Sequence, residues 1–198
     1  MQTILMKPGI CKILRLFYMN KNHALHLREI ARRAGLNEST VSRHLNALLN
    51  ENILRFEREG NLKKFSVKRS VIPKVFPVFD DEKLEGLPLL RKNAVREYIK
   101  CLVKKPVFMV VFGSTTRDTF RDESDLDILE VYNGRTDTKD AVKSAEALTG
   151  IKIQVFQLSE KLFYREIIEK KEHVVQSALN TGFPVFNQKY YYEVVYGE

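Results

Sequence analysis

The stretch 112–132, FGSTTRDTFRDESDLDILEVY, decides the fold of the larger part of the chain. It follows an apolar run, Val107 to Phe112, that stops at Gly113-Ser114. A short continuous apolar run of this kind predicts a strand buried on both faces. Residues 114–120, STTRDTF, can begin a helix with Ser114 near its N-cap. Strand, glycine turn and helix start together offer backbone N–H groups to an anion, and the serine hydroxyl adds a donor. Residues 125–131, DLDILEV, read as a second strand. Alternate residues of a strand share a face, so Asp125 and Asp127 project the same way, about 7 Å apart.

Two hard oxygen ligands at that spacing suit Mg²⁺, which binds through one or two carboxylates together with phosphate oxygens. A nucleoside triphosphate held at Gly113-Ser114 would bring its phosphates to such an ion. No G-x-x-x-x-G-K-[ST] is present, so the turn is not a P-loop. Upstream, Val95, Tyr98, Ile99 and Leu102 mark one face of a helix over 89–105. Downstream, AVKSAEALTG (141–150) reads as a helix and IKIQVFQL (151–158) as a strand.

In this order and spacing, GSTTRDTFRDESDLDIL (113–129) resembles the nucleotidyltransferase superfamily related to polymerase beta, over about residues 90–160. The resemblance implies an α/β domain with a mixed sheet. It implies Gly113, Ser114 and Arg117 as nucleotide-binding residues, and Asp125 and Asp127 as catalytic metal ligands. Mg²⁺ and an NTP, ATP in the first place, are the implied cofactor and substrate. Two positions depart from the family pattern. Asp118 stands where a glycine is common, and the strand 151–158 lacks the third carboxylate, with Gln154 or Lys152 nearest in position. Glu130 cannot replace it, since it belongs to the opposite face from Asp125 and Asp127.

The N-terminal part has another pattern. In residues 26–54, HLREIARRAGLNESTVSRHLNALLNENIL, the residues Leu27, Ile30, Ala31 and Ala34 form one helical face. Gly35 supplies a stop and Asn37 a cap for the next helix. That helix buries Val41, Leu45 and Leu48 and leaves Glu38, Ser39, Thr40, Ser42, Arg43 and Asn46 outside. A further helical run covers 9–19, and residues 53–67 alternate as a hairpin turning at Gly60-Asn61. Residues 5–70 resemble the winged helix-turn-helix domains of prokaryotic regulators. The resemblance implies that Ser39, Thr40, Ser42, Arg43 and Asn46 face double-stranded DNA while Arg58, Lys63 and Lys64 of the wing meet phosphates. A protein-docking or dimerisation module is the alternative.

Charge favours the DNA reading. The net charge of the 198 residues is +8, yet residues 1–79 hold 15 Lys+Arg against 5 Asp+Glu, and residues 80–198 hold 18 against 20. A polyanionic partner therefore belongs to the first part. The expected fold is α+β, with a winged helix-turn-helix over 1–79 and a nucleotidyltransferase-like domain over 80–198. Residues 71–90, with Pro73, Pro77, Gly86 and Pro88, are expected to form a semi-ordered connector. No signal peptide or membrane span is expected, and Cys11 and Cys101 lie too far apart in sequence to suggest a disulfide framework, which points to a cytoplasmic setting. The four histidines lack ligand-spaced partners. Tyr190, Tyr191 and Tyr192 could stack on a base, but their apolar neighbours favour packing.

Three functions follow from the pattern. One is an Mg²⁺-dependent transferase moving a nucleoside monophosphate to an acceptor of unspecified class, protein or small molecule. A second is a non-catalytic regulator whose nucleotidyltransferase fold senses nucleotide or dimerises. The third is a transferase acting on nucleic acid. Two-fold DNA sites make a homodimer the default.

Overall fold

The computed structural model describes residues 7–21, 23–116, 124–134 and 136–197. The chain is α+β and divides into two units, Met1–Phe79 and Asp80–Glu198. Among the described residues, no helix is long and apolar enough to cross a membrane.

In the first unit, α1 (Pro8–Met19) starts on a proline, whose missing N–H would have no partner in a first helical turn anyway. It buries Ile10, Ile13, Leu14 and Phe17. A two-residue strand β1 (Leu25–His26) leads into α2 (Leu27–Ala34), which ends on Gly35 at φ +63°. The side chain of Asn37 caps α3 (Glu38–Asn50), accepting from the Thr40 N–H at 2.8 Å. The stripe Val41, Leu45 and Leu48 is buried as its spacing dictates. Strands β2 (Leu54–Glu59) and β3 (Leu62–Val67) pair across the two-residue turn Gly60-Asn61, and β1 adds to β3. Two residues carry no readable alternation, so β1 is not visible in sequence.

Residues 71–90 are not a semi-ordered connector. They hold a 3₁₀ turn (Arg69–Val71) running into α4 (Ile72–Gly86), with Pro77 inside the helix. Ile72, Val75, Phe76 and Phe79 are buried at helical spacing, and Tyr18 packs on Phe76 and Phe79 at 5.4 Å each. Apolar burial of about 1.5–3 kcal/mol per large side chain outweighs the one backbone hydrogen bond that Pro77 removes.

The second unit continues with α5 (Leu89–Cys101), β4 (Phe108–Phe112), a 3₁₀ turn (Gly113–Thr116) and β5 (Leu126–Tyr132). Then come α6 (Lys139–Thr149), β6 (Ile153–Ser159), α7 (Glu160–Glu169), α8 (His173–Thr181), β7 (Phe183–Phe186) and α9 (Gln188–Tyr196). The sheet order is β6-β5-β4-β7, with β5 parallel to β6 and the other pairs antiparallel. Paired residues share a face, and along β4, β5 and β6 this separates the two faces of the sheet. On one face Met109, Val111, Leu126, Ile128 and Ile153 pack with Ala94, Val95 and Tyr98 of α5 and Ala141 and Ala145 of α6. The other face carries Phe108, Val110, Leu129 and Val131. There Phe163 of α7 and Tyr191 of α9 meet Phe108 at 4.9 and 5.5 Å. Tyr191 and Tyr192 are buried, and the Tyr192 hydroxyl donates to buried Asp80 at 2.9 Å, so these tyrosines pack.

Candidate active site and nucleic-acid face

The candidate active site forms where β4 ends and β5 begins. Register sets Phe112 opposite Asp127, and Asp127 opposite Gln154 of β6. Gly113 follows at φ +76°, a conformation side chains rarely adopt. A Cβ placed there would fall 2.0 Å from Oδ2 of Asp127. Glycine at this point therefore does two things: it permits the turn, and it lets the Asp127 carboxylate lie against the turn's backbone. Beyond it, the 3₁₀ turn buries Gly113 and Thr115, and Thr116 Oγ1 closes it by donating to the Gly113 carbonyl at 3.0 Å. The helix that could begin near Ser114 is, as far as Thr116, this 3₁₀ turn. Arg117 and Asp118 lie outside the described residues.

Asp125 lies one residue ahead of β5 rather than on it, because the ladder begins where the Leu126 N–H donates to the Lys152 carbonyl at 2.8 Å. Asp125 is exposed and Asp127 half-buried. The same face continues through Gln154, exposed, to Phe156, whose ring sits 5.7 Å from that of Phe112. The turn, Asp127 and Gln154 thus share one end of one sheet face, and Asp125 and Lys152 are the residues that lead into β5 and β6 there. Among the described residues, no group of three or more His, Cys, Asp and Glu side chains is placed to cage a metal. One carboxylate against a backbone turn, with a second, exposed one two residues earlier, still fits a Mg²⁺ ion that takes its remaining oxygens from phosphate and water.

In the first unit, the Asn37 cap also accepts from the Ser39 hydroxyl at 2.9 Å. Ser39, Arg43 and Asn46 are exposed on α3, while Thr40 and Ser42 are half-buried. The wing separates its three candidate cations. Arg58 and Lys63 are direct cross-strand partners on the face of Leu54, Phe56 and Phe65, and Lys63 Nζ lies 4.4 Å above the Phe56 ring. Lys64 sits on the reverse face opposite Glu57, bound to Glu59 at 2.6 Å. That Lys64 hydrogen bond holds the Glu59 carboxyl below its ordinary range.

Residues 11–58 match the IclR helix-turn-helix domain, and residues 93–180 match the family described as Polymerase beta, Nucleotidyltransferase. The chain joins an IclR-type helix-turn-helix domain to a polymerase beta nucleotidyltransferase domain. No curated protein matches the chain.

On the opposite face of the nucleotidyltransferase sheet, Glu130 is fully buried. It accepts from the Tyr98 hydroxyl at 2.8 Å and from Gln157 Nε2 at 3.0 Å. Burial pushes its carboxyl above the ordinary range. It lies behind the candidate site and cannot replace the missing third acid. In the helix-turn-helix domain, a Cβ on Gly9 would fall 2.5 Å from Nε2 of His44. His44 is thus packed against α1, and burial, then the charges of Arg43 and Lys7, hold its imidazole below the ordinary value.

Sequence reasoning misses a buried charge that touches the candidate site. Arg91 is 2% exposed, and its guanidinium donates to Thr115 Oγ1 at 2.9 Å and to the Ser124 carbonyl at 2.7 Å. The signal was present: Arg91 precedes Val95, Tyr98 and Leu102 at helical spacing, so a charge occupies the buried stripe of α5.

Proposed function

We propose that the nucleotidyltransferase domain binds a nucleoside triphosphate, with ATP the first to test, and transfers its nucleoside monophosphate to an acceptor. The helix-turn-helix domain, in this reading, holds double-stranded DNA. The observation that supports the nucleotide half is the close approach of the Asp127 carboxylate to the Gly113 turn, whose backbone would face phosphate in this reading. Backbone N–H groups of the turn and the Ser114 hydroxyl would donate to phosphate oxygens, and Arg117 would add charge. Asp125 and Asp127 would hold Mg²⁺, which supplies charge neutralisation on those oxygens when bound.

In the proposed transfer, an acceptor oxygen bonds to the α-phosphorus while the bond from that phosphorus to the bridging oxygen breaks. Pyrophosphate leaves with the electron pair, and the acceptor's proton passes to water or to a base the acceptor brings. Gln154 does not take it, because a neutral amide is not a general base at ordinary pH. The same residue, exposed on β6, supports a second reading: a regulator that senses nucleotide without transferring it. Acceptors in the first reading include a protein, a small molecule or a nucleic acid.

For DNA, Ser39, Thr40, Ser42, Arg43 and Asn46 of α3 would face the major groove, and Arg58 and Lys63 the backbone. Lys64, paired with Glu59, is the weakest of the wing's candidates. A homodimer would match a two-fold site.

The test is incubation with Mg²⁺, α-labelled triphosphates and cell lysate, beside Asp125→Asn and Asp127→Asn. Label on an acceptor, lost in both variants, supports the transferase. Mg²⁺-dependent nucleotide binding without label supports the sensor, and no binding at all removes both.

A further inference from the structure

Arg91 stands in a place that two physical preferences oppose. It is the third residue of α5, where the helix dipole favours acids, and the first turn of α5 contains none. Its guanidinium is also buried, which costs several kcal/mol unless its donors are matched by acceptors of good geometry. Local rules broken in this way concentrate where function requires it. Two of the side chain's hydrogen bonds end on the two halves of the candidate site. Thr115 belongs to the Gly113–Thr116 turn, and Ser124 immediately precedes Asp125. Arg91 also lies two residues ahead of the segment that matches the nucleotidyltransferase family.

We infer that Arg91 is a positioning residue that couples the phosphate turn to the carboxylate pair, so that metal and nucleotide bind as one unit. This rests on the Mg²⁺–nucleotide reading of the site. A planar guanidinium projects donors in fixed directions from one rigid group, so it sets the spacing between two acceptors. Anchored in α5, it holds the turn's N–H groups at a constant distance from the start of β5. Without it, β4 and β5 remain paired, but the turn after β4 and the residues leading into β5 each keep their own freedom. An ion at Asp125 and Asp127 then meets phosphates less often in the right place, and the free energy linking the two ligands shrinks.

The experiment is a binding titration of ATP to the full chain in excess Mg²⁺ and again in EDTA, giving the ratio of the two affinities. It compares wild type with Arg91→Met, Arg91→Lys and Thr115→Val, each also followed by thermal unfolding. Thr115→Val removes one anchor and keeps the guanidinium, so it remains informative if Arg91→Met does not fold. The expected result is a Mg²⁺/EDTA ratio reduced about tenfold in Arg91→Met and severalfold in Thr115→Val, with EDTA affinity unchanged. Arg91→Lys should recover little, because an ammonium is a point donor. An unchanged ratio in folded Arg91→Met or Thr115→Val overturns the inference while leaving the site standing. Equal losses with and without Mg²⁺ also overturn it, since they mark a structural role alone. If wild type binds no ATP in Mg²⁺, the reading of the site falls and takes the inference with it.

Discussion

Gly60 and Gly113 both follow a strand and lead to its antiparallel neighbour, and both have positive φ, +59° and +76°. A Cβ on Gly60 would meet nothing within 4 Å, whereas one on Gly113 would strike the Asp127 carboxylate at 2.0 Å. The wing turn needs glycine for its backbone alone. The turn beside β5 needs it for the backbone and for a side chain from the next strand. A local motif looks the same in both places; only the tertiary neighbour tells a connecting turn from a candidate site.

The largest expected effect breaks that comparison on the Gly113 side. Gly113→Ala should abolish detectable Mg·ATP binding and destabilise the second unit by about 2 kcal/mol or more, from left-handed backbone strain plus displacement of Asp127. Calorimetric titration and thermal unfolding check both parts, and a variant that binds ATP normally would remove the close contact from the account.

Next in size is the buried network behind the site. Burial raises the Glu130 carboxyl above its unfolded value of 4.5, so the native state holds its proton longer than the unfolded chain does. Its stabilising contribution is complete below that unfolded value and declines as pH rises toward the folded one. Glu130→Gln should flatten the fall in stability with pH above about 4.5, read from urea unfolding at several pH values. Glu130→Ala, which takes this acceptor from the buried Tyr98 hydroxyl and leaves Gln157 only Thr138, should cost roughly 2–3 kcal/mol.

On the wing, the comparison becomes one of two strand faces. Lys63→Ala should weaken DNA binding and lower the slope of log affinity against log salt by about one unit, as for a lost phosphate contact. Lys64→Ala should leave both nearly unchanged, because Glu59 already neutralises it. Equal effects would put both faces of the hairpin on DNA. Smallest of all, Gly60→Ala should cost only about 1–2 kcal/mol of backbone strain, with no change in nucleotide affinity.

Periodicity made most of the fold legible. Val41, Leu45 and Leu48 form one buried helical stripe, and the apolar run before Gly113 is a strand buried on both faces. What escaped was set by contacts between elements distant in sequence. Strand β1 exists because β3 offers it an edge, and α4 forms across two prolines because its apolar residues find a core. In the candidate site, the Gly-Ser turn and the Asp125-x-Asp127 pattern could be read directly, and so could the amide at Gln154. Arg91 could not be assigned, because its acceptors lie 24 and 33 residues away, and no spacing rule links a helix to the far ends of a turn.

The proposed function requires that Asp127 and the Gly113 turn form one Mg²⁺–nucleotide site. Isothermal titration of ATP into the full chain, with Mg²⁺ and with EDTA, beside Asp127→Asn, addresses it directly. We expect saturable binding by the wild-type chain that needs Mg²⁺ and disappears in the variant. Binding that is equal in EDTA and unaffected by Asp127→Asn, or no binding by the wild-type chain, would contradict it.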